Sequence, residues 1–372
     1  MRRSGRSAGG SNGGVGTIWL AAGGTAGHLN AAIAVLQELQ GVAPAVLITT
    51  DRNIDVTLSA DLGVPTVRLA GTGLGRGLGP VVRAAWVDLR ALGRNLVELR
   101  RLPKPDAVIA FGGFHTPLAA LVARARGAKV FVLEQNAVLG RANSLVAVFA
   151  SRILLAFPAA LPGRLYPRAV LVGNPVRSRG AVEKRAARKR LGMEEDGFVV
   201  VTTSGSLGST KVNQVVSELA GLLGKLPGVE LWHFVGQRNA GDGAASGGAY
   251  HRMGFSDELL NYMAAADLVI SRAGASTLSE LATVGAPSVL VPLPGSPRDH
   301  QRRNAEVFSR AGAAWVIEEA ELEANALLER VGWAMEHRQA LEEMGAAAQA
   351  LAKREAARAV VEEVASCLRP RG

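Results

Sequence analysis

Residues Ser271 to Glu280 read Ser-Arg-Ala-Gly-Ala-Ser-Thr-Leu-Ser-Glu, a glycine, hydroxyls and a carboxylate gathered directly after the apolar run that begins at Asp267. A strand running into a helix through such a junction is suited to a nucleotide. Gly274 lets the chain turn tightly, and Ser276 or Thr277 can cap a helix running to Val284. The free amides of the first turn then present partial positive charge to a diphosphate. Glu280, one turn further in, is spaced to accept hydrogen bonds from ribose hydroxyls.

Four other polar turns follow apolar runs. Ala22-Gly-Gly-Thr-Ala-Gly-His28 opens a helix expected over Asn30 to Leu39. Its spacing is not that of a dinucleotide fingerprint, but His28 stands where a general base working near neutral pH could sit. Leu133-Glu-Gln-Asn136 ends a strand in polar groups that need partners if buried, with Asn136 read as a substrate contact and Glu134 as its organiser. Thr203 to Ser209 is a second glycine and hydroxyl turn suited to phosphate, without the Gly-Lys-Ser/Thr ending of an ATPase loop. In Arg298 to Asn304, the side chains of Asp299, Gln301 and Asn304 are placed to read sugar hydroxyls. The chain contains no Asp-x-Asp pair to hold a metal on a diphosphate. The expected site therefore has no metal and no cofactor, and the charge of a departing diphosphate falls to Arg177 and to helix N-termini at Ser206 and Ser276.

The elements that must position these groups alternate. Apolar strand-like runs at 17–21, 45–49, 107–110, 130–133, 152–156, 198–202, 230–235, 268–270 and 288–291 are separated by helical stretches, which predicts an α/β fold with doubly wound parallel sheets. At 372 residues two domains are expected, and the charged connector Glu183 to Leu191 after Gly173-Asn-Pro-Val-Arg177 marks their junction. The expected division is a disordered Gly/Ser/Arg tail over 1–16, an acceptor-facing domain over 17–173 and a nucleotide-sugar domain over 174–372, whose last helix is free to pack back on the first domain. Two such domains place ligands in the cleft at the C-terminal ends of their strands.

Charge divides the same way. The net charge is +10, and residues 1–173 hold 19 Lys and Arg against 8 Asp and Glu, whereas the remainder holds 23 against 24. The basic half is suited to a polyanion. Because aromatic residues are 5% of the chain and no nucleic-acid-reading pattern occurs, an anionic membrane surface is expected rather than nucleic acid. Leu78 to Leu102 reads as a basic amphipathic helix. Together with Leu74 it offers Leu78 and Trp86 to a bilayer interface and Arg76, Arg83 and Arg90 to lipid phosphates, the alternative being a core-facing helix with a solvated basic face. No apolar run reaches the roughly 18 residues of a membrane span, and the single Cys367 excludes an internal disulfide.

Six motifs in order, Gly23–His28, Glu134–Asn136, Gly173–Arg177, Ser204–Gly208, Arg272–Glu280 and Asp299–Gln301, resemble those of the MurG glycosyltransferase family over nearly the whole chain. Ala26, Leu133 and Leu207 depart from the family's usual Gly, His and Gln, and the loop after Gly112 to Pro117 is shorter. The resemblance implies two Rossmann-like domains facing across a cleft (GT-B). It further implies inverting transfer of N-acetylglucosamine from UDP-N-acetylglucosamine to the muramic 4-hydroxyl of the lipid-linked muramyl-pentapeptide, at the cytoplasmic face of the membrane. In that reading His28 is the base and Arg177 stabilises the leaving UDP. Thr25, Gly27, Asn136, Ser206, Ser256, Ala275, Ser276, Thr277, Glu280 and Gln301 line the donor site. The alternatives are a related enzyme acting on another lipid or a polysaccharide, a UDP-sugar 2-epimerase, and a UDP-sugar-binding protein without activity. A lipid-facing basic segment separates the first from the epimerase, and a complete set of His28, Glu280 and Gln301 argues against the last.

Overall fold

The computed structural model describes residues 16–70, 89–159, 161–176, 183–205, 208–239, 247–254 and 256–369. Residues 1–15 of the tail expected over 1–16, together with Arg177, Ser206, and Leu74, Arg76, Leu78, Arg83 and Trp86 of the basic segment, lie outside them. The first half runs β1 (Ile18–Ala22), α1 (Ala26–Leu39), β2 (Ala45–Thr50), α2 (Asn53–Leu58), β3 (Thr66–Leu69), α3 (Leu89–Arg101), β4 (Ala107–Gly112), α4 (Thr116–Ala125), β5 (Lys129–Glu134), α5 (Arg141–Ala147), β6 (Arg152–Leu155) and β7 (Ala169–Leu171). Its seven strands form a parallel sheet in the order β3-β2-β1-β4-β5-β6-β7.

The second half runs α6 (Lys184–Leu191), β8 (Phe198–Thr203), α7 (Thr210–Leu222), β9 (Val229–Phe234), β10 (Tyr250–Met253), α8 (Leu259–Ala265), β11 (Leu268–Ser271), α9 (Ala275–Val284), β12 (Ser288–Leu290), α10 (His300–Arg310), β13 (Ala314–Val316), α11 (Ala324–Glu336), α12 (Arg338–Ala350) and α13 (Ala356–Leu368). Its parallel sheet has the order β10-β9-β8-β11-β12-β13. These are the doubly wound sheets expected from the alternation of apolar runs.

Strands buried on both faces explain the continuous apolar runs. In β1, Ile18, Leu20 and Ala22 join a core with α1, while Trp19 and Ala21 join the opposite core with α3, α4 and α5. In β8, Phe198 and Val200 face one core and Val199 and Val201 the other. Strand order reverses beside β1, between β2 and β4, and beside β8, between β9 and β11. In open parallel sheets that reversal opens a crevice at the C-terminal strand ends, where the loops diverge. The glycine turns after β1, β4, β8 and β11 all occupy such positions.

The structure corrects several local readings. α1 begins at Ala26 rather than Asn30, because Thr25 is its N-cap and accepts from the His28 amide. The strands β3, β7, β10 and β13 have no counterpart in the sequence reading, being three or four residues long and at or near sheet edges. Within the described part of the basic segment, α3 is a core helix: Ala91 and Leu99 are buried, Leu96 packs beside them, and Asn95 pairs with both polar groups of the Ala70 backbone. Ala91, Asn95 and Leu99 are therefore turned to the protein, and Arg90 lies exposed at the start of the helix.

The last helix does not stay with the sheet that precedes it. α13 packs against α1, burying Val360 and Val364 with Leu29, Ile33 and Leu36. Arg152 pairs with Glu363 at 2.9 Å, and Lys129 donates to the Cys367 carbonyl. Replacing Val360 and Val364 together by Ala should destabilise the first sheet by about 2–5 kcal/mol, as buried methyl groups are removed and a cavity is left. Urea unfolding checks this, and a midpoint equal to that of the parent would show that α13 contributes nothing to that core.

Candidate functional site

His28 occupies the first turn of α1, aimed by the glycine turn after β1. Its Nδ1 lies 3.3 Å from the Gly23 carbonyl, which can only accept, so Nδ1 carries the proton and Nε2 is left with its lone pair. Burial lowers the pKa below the ordinary imidazole value, against the opposing pull of the Glu134 and Asp55 carboxylates. The ring is therefore neutral at pH 7 and able to accept a proton. Gly112 makes room for it: with φ of +116° the residue favours glycine, and a Cβ there would lie 2.9 Å from His28 Nε2.

Beneath this turn sit two buried titratable groups without sequence signal. Asp55, on α2, accepts from the Gly24 amide at 2.8 Å and from the Thr50 hydroxyl. His115 is buried against the same glycines, and burial lowers its pKa to about 4. Neither of its ring nitrogens makes a hydrogen bond of good geometry, although the Ile48 and Ala22 carbonyls lie close enough to be felt.

The Glu-Gln-Asn strand end divides its work. Glu134 accepts from the Asn136 amide and side chain, from the Gly140 amide and from Asn143, so it does organise the following loop. Gln135 donates to the Gly27 carbonyl and to Asn174, which in turn donates to Ser279 on α9. Asn136 accepts from Asn304, whose own oxygen accepts from the Ala137 amide and whose nitrogen also reaches the Ala273 carbonyl. Asn304 is thus fully buried and bridges the two halves, correcting its expected role as a sugar reader, and Asn136 already has partners on both ends of its amide.

From the second half, α9 delivers the other part of the site. Its N-cap is Gly274 in extended conformation, at φ −71°, with no side-chain cap. Neither the tight glycine turn nor the Ser276 or Thr277 cap is present. Instead Ala275, Ser276 and Thr277 form the first turn, with amides free of intrahelical partners. A Cβ at Gly27 would lie 2.7 Å from Ser276 Oγ, so the starts of α1 and α9 face each other across the seam. Glu280 follows Ser276 by one turn, on the same side of the helix. Among the described residues no hydrogen bond engages its carboxylate, and burial raises its pKa to about 7. A carboxylate left in that state has its acceptor positions open to a ligand.

The remaining turns are built for position. α7 begins at Thr210 under a Ser209 cap, beyond Ser206, while the Ser204 hydroxyl turns inward to Asn213. Arg272, which opens the motif read from the sequence but was given no role of its own, is buried and donates to Ser209 at 2.5 Å, to Glu319 and to the Val291 and Pro292 carbonyls, fixing three loops at one edge of the site. Ser256 accepts from the Glu258 amide ahead of α8. Arg298 and Asp299 both adopt left-handed backbone, rare for residues other than glycine, and Asp299 makes no side-chain cap. That bend lets Arg298 donate to the Leu139 carbonyl at 2.7 Å and to Ser144 at 2.9 Å in the first half. Gln301 is half-buried, its Oε1 held by the Leu293 amide.

Two parallel-sheet halves thus bring the starts of α1 and α9 together across a seam beside a neutral imidazole, an arrangement suited to a nucleotide sugar. The glycosyltransferase family 28 N-terminal domain matches residues 18–155, and the family 28 C-terminal domain matches residues 199–360. The chain belongs to glycosyltransferase family 28, among its MurG members. It is 33% identical to the UDP-N-acetylglucosamine–N-acetylmuramyl-(pentapeptide) pyrophosphoryl-undecaprenol N-acetylglucosamine transferase of Desulforudis audaxviator, over 90% of this chain and 94% of that one. It is 36% identical to the enzyme of the same name from Cupriavidus metallidurans, over 93% and 96%. The crystal structure of Acinetobacter baumannii MurG matches 95% of this chain and 99% of its own, with a TM-score of 0.71 at 26% identity. A UDP-N-acetylglucosamine 2-epimerase from Listeria monocytogenes, at 12% identity and a TM-score of 0.69, shares the fold alone.

The state of Glu280 gives a signed expectation. Burial raises the pKa of the free carboxyl to about 7; if Glu280 takes the ribose hydroxyls as expected, their hydrogen bonds favour its ionised form and lower that value, and binding then releases a proton. Affinity for UDP should therefore rise with pH between 6 and 8, and Glu280→Gln should level the rise. Calorimetry at several pH values reads both, and a parent curve as flat as the variant's would remove Glu280 from the nucleotide site.

Proposed function

We propose that this enzyme transfers N-acetylglucosamine from UDP-N-acetylglucosamine to the 4-hydroxyl of the muramyl unit of undecaprenyl-pyrophosphoryl-MurNAc-pentapeptide, with inversion, in peptidoglycan synthesis. The family membership carries the substrates, and the seam between α1 and α9 carries the chemistry. His28 Nε2 takes the proton of the attacking hydroxyl as its oxygen bonds to the anomeric carbon, and the bond from that carbon to UDP breaks on the opposite face. The first-turn amides at Ala275, Ser276 and Thr277 take up charge on the diphosphate as it leaves. Glu280 holds the ribose, and the NH₂ group of Gln301 meets the sugar. Thr25 caps the helix that bears His28, and Gly27 keeps the two helix starts within reach.

Transfer of labelled sugar from UDP-N-acetylglucosamine to a short-chain lipid-linked muramyl-peptide tests this reading. Product is expected with that acceptor and not with polysaccharide, and no epimerised nucleotide sugar should form when the acceptor is omitted. Binding of UDP without transfer would favour the inactive binding protein. His28→Ala should lower kcat by roughly 10²- to 10⁴-fold with UDP affinity retained, the pattern for a proton moved only in the transition state. An unchanged kcat would make His28 a structural residue.

The proposed acceptor is lipid-linked, and the packing supports one candidate for a face that meets the membrane peripherally. Among the described residues no helix is long and apolar enough to cross a membrane. α3, α4 and α5 form one layer over the first sheet, and its outer side exposes Leu121 (53%), Leu145 (63%) and Val148 (61%) among the exposed Arg94, Arg124 and Arg141. Apolar groups ringed by arginine suit an anionic bilayer surface. Replacing Leu121, Leu145 and Val148 together by Ser should reduce cosedimentation with anionic vesicles about tenfold or more while leaving UDP affinity unchanged. Equal sedimentation of parent and variant would move the membrane face elsewhere.

A further inference from the structure

Asp55 lies away from the cleft surface, fully buried, and no part of the transfer described above uses it. Its Oδ2 accepts from the Gly24 amide at 2.8 Å. The amide of Gly24 belongs to the same peptide group as the carbonyl of Gly23, and that carbonyl accepts from Nδ1 of His28 at 3.3 Å. One peptide plane therefore connects the buried carboxylate to the imidazole. The Thr50 hydroxyl donates to the same Oδ2 and fixes the carboxylate, and a Cβ at Gly23 would lie 2.7 Å from that oxygen, so no other residue type leaves the geometry intact.

We propose that Asp55 is the positioning residue of the base: through the Gly23–Gly24 peptide it holds His28 in its Nδ1-protonated form and compensates the charge that the ring gains when Nε2 takes the acceptor's proton. The inference rests on His28 acting as the base. Where a catalytic histidine bonds an aspartate directly, the carboxylate fixes the tautomer and stabilises the imidazolium. Here a polarisable peptide stands between the two, and an anion at its N–H end strengthens the acceptor at its carbonyl end. The Asp55 charge also reaches the ring through space and raises its proton affinity. The other titratable groups that reach His28 are Glu134 at the end of β5, which acts in the same sense, His300 at the start of α10, which opposes it, and His115, which couples to both His28 and Asp55.

Asp55→Asn keeps the shape and an acceptor for Gly24 and Thr50 while removing the charge. Asp55 Oδ1 has no hydrogen-bond partner, so an amide nitrogen in its place breaks none. The first readout needs neither substrate: the His28 ring proton is followed by NMR through a pH titration and identified by its loss in His28→Ala. The resonance should titrate at lower pH in Asp55→Asn than in the parent. The second is the transfer assay, in which kcat should fall roughly 10- to 100-fold with UDP affinity retained, and the acid limb of kcat/KM should move to lower pH. Thr50→Val provides an independent variant should Asp55→Asn not fold. With its hydroxyl donor gone, the carboxylate concentrates its charge on the Gly24 amide, so His28 should titrate higher, a direction that mere loosening of the turn does not produce. A His28 titration identical in parent and a folded variant overturns the role of Asp55. A parent that titrates as expected but transfers no sugar overturns the proposed function instead.

Discussion

The arrangement depends on keeping two helix starts, those of α1 and α9, in contact across a polar seam. Gly27 against Ser276 sets the distance, and Gln135, Asn174, Ser279, Asn136, Asn304 and Arg298 set the orientation. Hydrogen bonds of this kind contribute only about 1 kcal/mol each in net terms, because water replaces them when they part. Closure across the seam is therefore specific and still reversible. The attachment of α13 to the first sheet is of the other kind: Val360 and Val364 are buried among leucine and isoleucine, and separating them exposes apolar surface with nothing to compensate. One contact between the halves can open while the other persists, which suits an enzyme that must admit a sugar nucleotide and release UDP.

The same burial acts in opposite directions on the two titratable groups facing that seam. Desolvation favours the neutral form of each, so His28 is held as a free base and Glu280 as an acid with a pKa near neutrality. In the proposed transfer the neutral form of His28 is the working one, and the neutral form of Glu280 is a resting state that hydroxyl donors would convert to the anion. In the same proposal the amides at the start of α9 offer the leaving diphosphate a partial positive charge whose strength does not vary with pH.

Much of this was legible in the sequence, and the failures have a common cause. The buried strands announced themselves as apolar runs, and the glycine turns were found because strand ends in parallel sheets present ligand groups. Asn304 was misread because a polar residue in a loop looks alike whether it faces a sugar or another loop; only packing reveals that Ala137, Asn136 and Ala273 already satisfy it. Asp55 escaped notice, and Arg272 was noted without a role, for the complementary reason: their partners lie at Gly24 and Thr50, and at Ser209 and Glu319, and no local spacing encodes those pairings. The four short strands were missed because three or four residues carry too little periodicity to stand out.

Of the amphipathic segment read over Leu78 to Leu102, only the part from residue 89 onward is described, and there the core-facing alternative fits the packing. A helix with an apolar stripe and a basic face satisfies both a core position and a bilayer interface, and the stripe alone cannot separate them. The topology separates them. Each face of the first sheet carries one helical layer, and α13 returns to pack on the α1 side, narrowing what that side leaves exposed. Among the described residues the layer of α3, α4 and α5 receives no such cover, and Leu121, Leu145 and Val148 remain exposed on its outer side while Leu99 of α3 is buried. The basic excess of residues 1–173 belongs to this same half. Among the described residues, the packing of α13 on α1 thus leaves the α3, α4 and α5 side of the first sheet as the more exposed one.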